Sequence, residues 1–160
     1  MNMDKCIGSH HPKWFGLAVQ ALVILAKDDI ITCPSAELAV YLQSEPTLLR
    51  RILSSLTKGG ILETREGRDG GYKLRRSPET ITLAEVYTIL QVSAPLIYGI
   101  KDTAGTGTFG LKMNTLFGEL TDEMDRSLLE VLGNYTIGDW VKRLNETQSG
   151  GNVNSVHSNV

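Results

Sequence analysis

Only two cysteines occur in the 160 residues, which excludes a disulfide scaffold and leaves reduced thiols as the default. Five prolines exclude a proline-rich chain, and 16 glycines without a three-residue period exclude a collagen-like one. Long apolar runs are also missing. The longest, Leu17–Ala26, is interrupted by Gln20 and falls short of the roughly 20 residues that span a bilayer. No membrane partner is therefore expected. No apolar stretch followed by a small-residue cleavage site opens the chain, so a cytoplasmic location is expected. Ser/His/Asp sets at motif spacing, a Walker loop and paired metal ligands are all missing too, so the chain is not expected to be an enzyme or to hold a cofactor or metal. What is present, 41% hydrophobic and 21% charged residues, suits one soluble domain with a real core.

Charge is uneven. Between Arg50 and Arg76 eight basic residues face three acidic ones, a net of +5; with the whole chain at −2, the remainder carries −7. One basic segment in an acidic protein is the asymmetry of a face that meets a polyanion.

The apolar pattern divides the chain. Residues 1–12 show no periodicity and are expected to form a flexible arm. Trp14, Leu17, Ala18, Ala21, Leu22 and Leu25 recur at helical spacing, and Val19, Val23 and Ile24 widen that face, so this helix is expected to be buried on more than one side. Cys33-Pro34-Ser35-Ala36-Glu37 reads as a helix start, and Ser44-Glu45-Pro46-Thr47 as a second after a tight turn. The second helix carries Leu49, Ile52, Leu53 and Leu56 on one stripe and stops at Gly59-Gly60. Two short segments, Gly60–Arg65 and Tyr72–Arg75, flank a glycine-rich loop and read as a hairpin. Helix-turn-helix followed by a hairpin is the order of a winged helix. Thr82-Leu83-Ala84-Glu85 fits a capping box opening a helix to about Val92. Residues 93–112 are expected to form a loop. Its Gly105-Thr106-Gly107-Thr108-Phe109-Gly110 matches the dinucleotide fingerprint in letters but lacks the βαβ context. Met113, Leu116, Phe117, Leu120, Met124, Leu128 and Val131 then keep helical spacing over about five turns. A winged helix spanning 13–92 is too small to shield this stripe, so residues 113–145 are expected to be dimerisation helices. Residues 146–160 are polar and expected to be a disordered tail.

The run Ser44-Glu-Pro-Thr-Leu-Leu-Arg-Arg-Ile-Leu-Ser-Ser-Leu-Thr-Lys-Gly-Gly-Ile-Leu62 resembles the recognition helix of the Rrf-two family of bacterial transcription regulators. Gly67-Arg-Asp-Gly-Gly-Tyr-Lys-Leu74 resembles that family's wing, and Pro78-Glu-Thr-Ile-Thr-Leu83 its following segment. The resemblance implies a mainly α fold with a small β-hairpin: a winged helix-turn-helix plus a long C-terminal dimerisation helix. It implies a homodimeric repressor binding a palindromic operator in double-stranded DNA. Members that carry iron–sulfur clusters have three cysteines before the dimer helix. Ser93–Gly118 has none, so this chain resembles the cluster-free branch.

If the apolar stripe of the recognition helix faces inward, Thr47, Arg51, Ser54 and Lys58 face outward with Arg50 on the flank, where arginine can pair with guanine. Arg65 and Arg68 on the wing suit a minor groove or phosphate. Ser35 sits near a helix N-terminus, where it either binds phosphate or caps the helix. Tyr72 is expected to pack within the hairpin. Cys33, beside the same helix start, reads either as a thiol of lowered pKa acting as a redox switch, with Cys6 as a resolving thiol, or as a small, inert, part-buried residue. The alternative signal is a small-molecule effector or a partner protein. Cys6, His10 and His11 make a poor metal site on a flexible arm.

Overall fold

The computed structural model describes residues 12–92 and 95–149. Helix α1 spans Pro12–Leu25, α2 Ser35–Tyr41 and α3 Pro46–Lys58. Strands β1 (Leu62–Arg65) and β2 (Gly71–Leu74) follow, then a single 3-10 turn at Pro78–Thr80. Helices α4 (Leu83–Ile89), α5 (Pro95–Asp102), α6 (Thr108–Gly133) and α7 (Ile137–Ser149) complete the chain. The fold is mainly helical with one antiparallel hairpin, the winged helix-turn-helix that the order of elements predicts.

Helix α1 is the centre of the core. Its residues Leu17–Val19 and Ala21–Leu25 are all buried, because α3, α4, β2 and α7 pack around it. Leu49, Ile52, Leu53 and Leu56 bring one side of α3 onto α1, each fully buried and each worth about 1.5–3 kcal/mol over exposure. Leu38 and Ala39 seat α2; Ile61, Leu62, Ile81, Leu83, Val86, Leu90 and Ile137 close the core.

Local chemistry fixes the helix ends. Glu45 caps α3, its carboxylate accepting the backbone N–H of Thr47 (2.9 Å) and of Leu48 (2.6 Å). The turn between α2 and α3 passes through Gln43 at φ 51°, a conformation that glycine or asparagine adopts more readily. Thr82 caps α4 through the Glu85 N–H (3.1 Å). The reciprocal half of the expected box is absent: the Glu85 carboxylate instead pairs with Arg76, whose guanidinium also donates to the Thr80 carbonyl (3.0 Å). A complete box forms at α7, where Thr136 N–H donates to Asp139 (2.9 Å) and Asp139 N–H to the Thr136 hydroxyl (3.1 Å).

Three boundaries differ from the sequence expectation. The stretch 93–112 is not a loop throughout, since Pro95–Asp102 is helical and α6 begins at Thr108. Proline at the first helical position favours a helix start there. Gly110 lies inside α6, where a Cβ would sit 2.1 Å from the Gly105 carbonyl oxygen, so the fingerprint-like glycines serve a close backbone approach. Helix α7 continues to Ser149, past the expected start of a disordered tail. The expected N-terminal arm, apart from Pro12 in α1, lies outside the described residues, as does 150–160.

Helix α6 has 26 residues and so extends about 39 Å. It leans on α4 and α5 and buries only Gly110 and Thr121. Helix α7 folds back against α1 and the 3-10 turn. Among the described residues, no helix is long and apolar enough to cross a membrane.

Candidate nucleic-acid interface

With one stripe of α3 buried, its other face carries Thr47, Arg50, Arg51, Ser54 and Lys58, all exposed. Their side chains border a cleft of about 580 Å³, closed by Ser55, by Trp14 from the first turn of α1 and by Tyr72 from β2. Trp14 and Tyr72 also pack against the core. Sequence reasoning assigned Tyr72 to packing alone and read Trp14 only as one residue of the α1 stripe. The signal for both was their aromatic size at the ends of elements that flank α3. Glu45 stands at the N-terminal end of this face, its carboxyl held below the usual range by the Thr47 and Leu48 backbone N–H groups.

The hairpin pairs Leu62 with Leu74, Glu63 with Lys73, Thr64 with Tyr72 and Arg65 with Gly71. Lys73 meets Glu63 at 2.7 Å, and Arg65 and Arg68 stand exposed at the wing end. The wing is tied to the segment before α2 at three points. Cys33 N–H donates to the Tyr72 carbonyl (3.0 Å), Tyr72 N–H donates to the Cys33 carbonyl (2.9 Å), and the Thr32 hydroxyl donates to the Asp69 carbonyl (2.7 Å). This approach requires glycine at Gly71: a Cβ there would lie 2.5 Å from the Cys33 carbonyl carbon and 2.7 Å from the Pro34 nitrogen.

One residue differs from expectation. Cys33 is only 6% exposed, and its thiol pKa is raised, first by burial and then by the nearby Glu37 charge, with a smaller opposing effect from the Leu38 backbone. Pro34, not Cys33, takes the N-cap of α2, and desolvation outweighs the helix-end field that was expected to lower the pKa. Ser35 is the first residue of α2, one place inside the N-cap that Pro34 occupies. Cys6, His10 and His11 lie outside the described residues.

On α6, Leu116 (56% exposed), Leu120 (47%) and Val131 (55%) stand in the open, while Met113, Phe117, Met124 and Leu128 are half-buried. A second apolar surface lies between α1, α2 and α7, where Val19, Val23, Ile24, Leu42 and Leu144 line a cavity of about 410 Å³.

A helix-turn-helix with a cationic outer face, followed by a glycine-rich wing whose Tyr72 borders the same cleft, defines a winged-helix DNA-binding protein. The Rrf2 family model, described as an iron-dependent transcriptional regulator, matches residues 13–143. The chain belongs to the Rrf2 family of transcriptional regulators. It is 25% identical over 128 residues to a protein described as an HTH-type transcriptional regulator, YwnA of Bacillus subtilis, covering 80% of this chain and 94% of that one. A crystal structure of a transcriptional regulator from Lactobacillus plantarum superposes with a TM-score of 0.68 at 25% identity, over 82% of this chain and 89% of that one. T. potens IscR shares the fold, with a TM-score of 0.64 at 21% identity over 89% of this chain and 93% of that one.

The family description raises the question of iron. The described residues do not fit it. Residues 93–118 contain neither cysteine nor histidine, the thiol of Cys33 is buried beneath the wing, and no described group of three His, Cys, Asp or Glu side chains is placed to hold a metal ion.

Proposed function

We propose that the protein is a homodimeric, sequence-specific repressor that works in the cytoplasm and carries no enzymatic activity. The observation that supports this reading is the exposed outer face of α3, where Thr47, Arg50, Arg51, Ser54 and Lys58 border one cleft with Tyr72 of the hairpin, while Arg65 and Arg68 are exposed at the end of that hairpin. In this reading α3 enters the major groove, where Arg50 and Arg51 pair with guanine, Thr47 and Ser54 meet neighbouring base edges, and Lys58 holds phosphate. Arg65 and Arg68 enter the adjacent minor groove, and Ser35 hydrogen-bonds a phosphate.

The open stripe of α6 supports the dimer. Leu116, Leu120 and Val131, with Met113, Phe117, Met124 and Leu128 beside them, are buried in this reading against the first and long helices of a second copy. The apolar cavity between α1 and α7 receives them. Two-fold symmetry then sets two recognition helices about 34 Å apart and calls for a palindromic operator.

For the signal, the burial of Cys33 favours an effector or partner protein over a thiol switch, because the thiolate is the reactive form. Selection of duplexes from a random-sequence library by the full chain, followed by sedimentation of the complex, tests the main reading. Recovery of a palindrome bound by two chains is expected; no enrichment of any sequence overturns it. Peroxide challenge of that complex, in the parent and in Cys33→Ser, tests the choice of signal. Reversible release of the parent alone would restore the thiol switch.

A further inference from the structure

We infer that Trp14 is a further DNA-contacting residue, packing its indole on the deoxyribose of the backbone strand that runs along the cleft beside α3. The inference deepens the reading of α3 as the recognition helix and rests on it. Three observations lead to it. Trp14 is half-buried, so part of its ring packs on the core while part borders the cleft. The same cleft is bordered by the cations Arg50 and Lys58 and by a second ring, Tyr72. Tyr72 is held in place because its backbone N–H and carbonyl are both bonded to Cys33.

A nucleic-acid backbone alternates an anionic phosphate with a largely apolar sugar edge. A cleft that sets lysine and arginine beside two aromatic rings offers a match for both halves of that repeat. Phosphates are served by the cations, and the ring edges that border the cleft offer the sugar an apolar surface. Trp14 comes from α1, which precedes the helix-turn-helix pair and lies beside the recognition helix, and an element that flanks the helix filling a groove meets the strand that walls that groove. Its partner is therefore the sugar and not a base edge, so its contribution is independent of base sequence.

This assigns two separable parts to the binding energy. Each phosphate neutralised by a cation releases counterions and adds about 0.9 to the slope of log affinity against log salt. Ring burial against sugar releases none. Loss of Trp14 should therefore weaken binding about tenfold, at the usual yield for apolar surface, without changing the salt slope.

The test uses the full chain and a mixed-sequence 30-base-pair duplex, titrated over a range of salt concentrations. Trp14→Ala should bind about tenfold more weakly with the parent slope, Trp14→Phe should fall within about threefold of the parent, and Lys58→Ala should lose about 0.9 of slope. Unchanged affinity in Trp14→Ala, or a loss that comes with a reduced slope, overturns the inference while the parent's binding upholds the reading of α3. Failure of the parent to bind the duplex at any salt overturns both. A measurement independent of the alanine variant's folding uses 5-fluorotryptophan in the parent chain, which has two tryptophans, Trp14 and Trp140. Trp14→Phe identifies the Trp14 fluorine signal. Its water-to-deuterium-oxide isotope shift should fall when the duplex is added, and an unaltered shift at saturation overturns the inference.

Discussion

Replacing Gly71 with alanine is expected to loosen the wing without touching any charge. The new methyl carbon would lie 2.5 Å from the Cys33 carbonyl carbon, 2.6 Å from its oxygen and 2.7 Å from the Pro34 nitrogen. All three are backbone atoms, so no flexible side chain can yield. Ordinary contact begins near 3.4 Å, so the two segments must part by nearly an ångström. That movement stretches the Cys33–Tyr72 pair, now at 3.0 and 2.9 Å, beyond hydrogen-bonding range. Two backbone bonds at about 1 kcal/mol net each, with partial exposure of the Cys33 side chain, give a loss of about 2–3 kcal/mol. Gly16→Ala is the matched control. It sits within α1 with no atom within 4 Å of the new Cβ, and should stabilise by about 0.5–1 kcal/mol. Urea unfolding at one fixed protein concentration measures both, since a dimer's stability depends on concentration. A Gly71→Ala protein within about 0.5 kcal/mol of the parent would refute the reasoning, because it would mean that the Cys33–Tyr72 approach is not rigid.

Leu120→Asp should convert the proposed dimer to monomer; each chain contributes one altered leucine, so dissociation should strengthen by at least about a hundredfold in sedimentation equilibrium. The Cys33 thiol has a pKa raised above its ordinary 9.0, so the stability it contributes is complete below pH 9 and is lost as pH rises through the folded value. Cys33→Ala should therefore show a shallower alkaline loss of stability than the parent. Glu45 has a folded pKa below its ordinary 4.5, so its contribution is present above that pH and is lost on acidification through the folded value. Glu45→Gln should start less stable at neutral pH and lose less than the parent when unfolding is followed down from pH 4.5.

The elements whose apolar residues are satisfied within one chain were legible in the sequence. Leu49, Ile52, Leu53 and Leu56 mark the inner side of α3 and thereby its outer one, and the all-round apolar α1 became the centre of the core. The wing was legible because the glycines of its loop punctuate two short segments. Helix α5 was not, since Pro95 and Gly99 read as loop residues when their neighbours cannot be seen. Helix α7 ran past its expected end because a polar tail, Gln148-Ser149, can continue a helix without burying anything. For Cys33 the sequence left a switch and an inert, part-buried residue open, and burial favours the second. Sequence places it beside a helix start, but only the fold shows the wing strand lying over it. Burial then outweighs the helix-end field. The cleft needed the fold as well, because Trp14 and Tyr72 are 58 positions apart and meet α3 only through packing.

The three ties between Thr32–Cys33 and the wing make the hairpin and the helix-turn-helix one rigid caliper. In the proposed complex, its two jaws are the wing loop and the outer face of α3, and their separation is set before any DNA arrives. The duplex must then make the adjustment, by narrowing a minor groove or bending between the two grooves gripped. The energy of that deformation varies with base sequence at steps that no side chain reaches. Such a protein gauges the stiffness of its operator as well as its letters, and two operators with the same contacted bases but different intervening steps should differ in affinity.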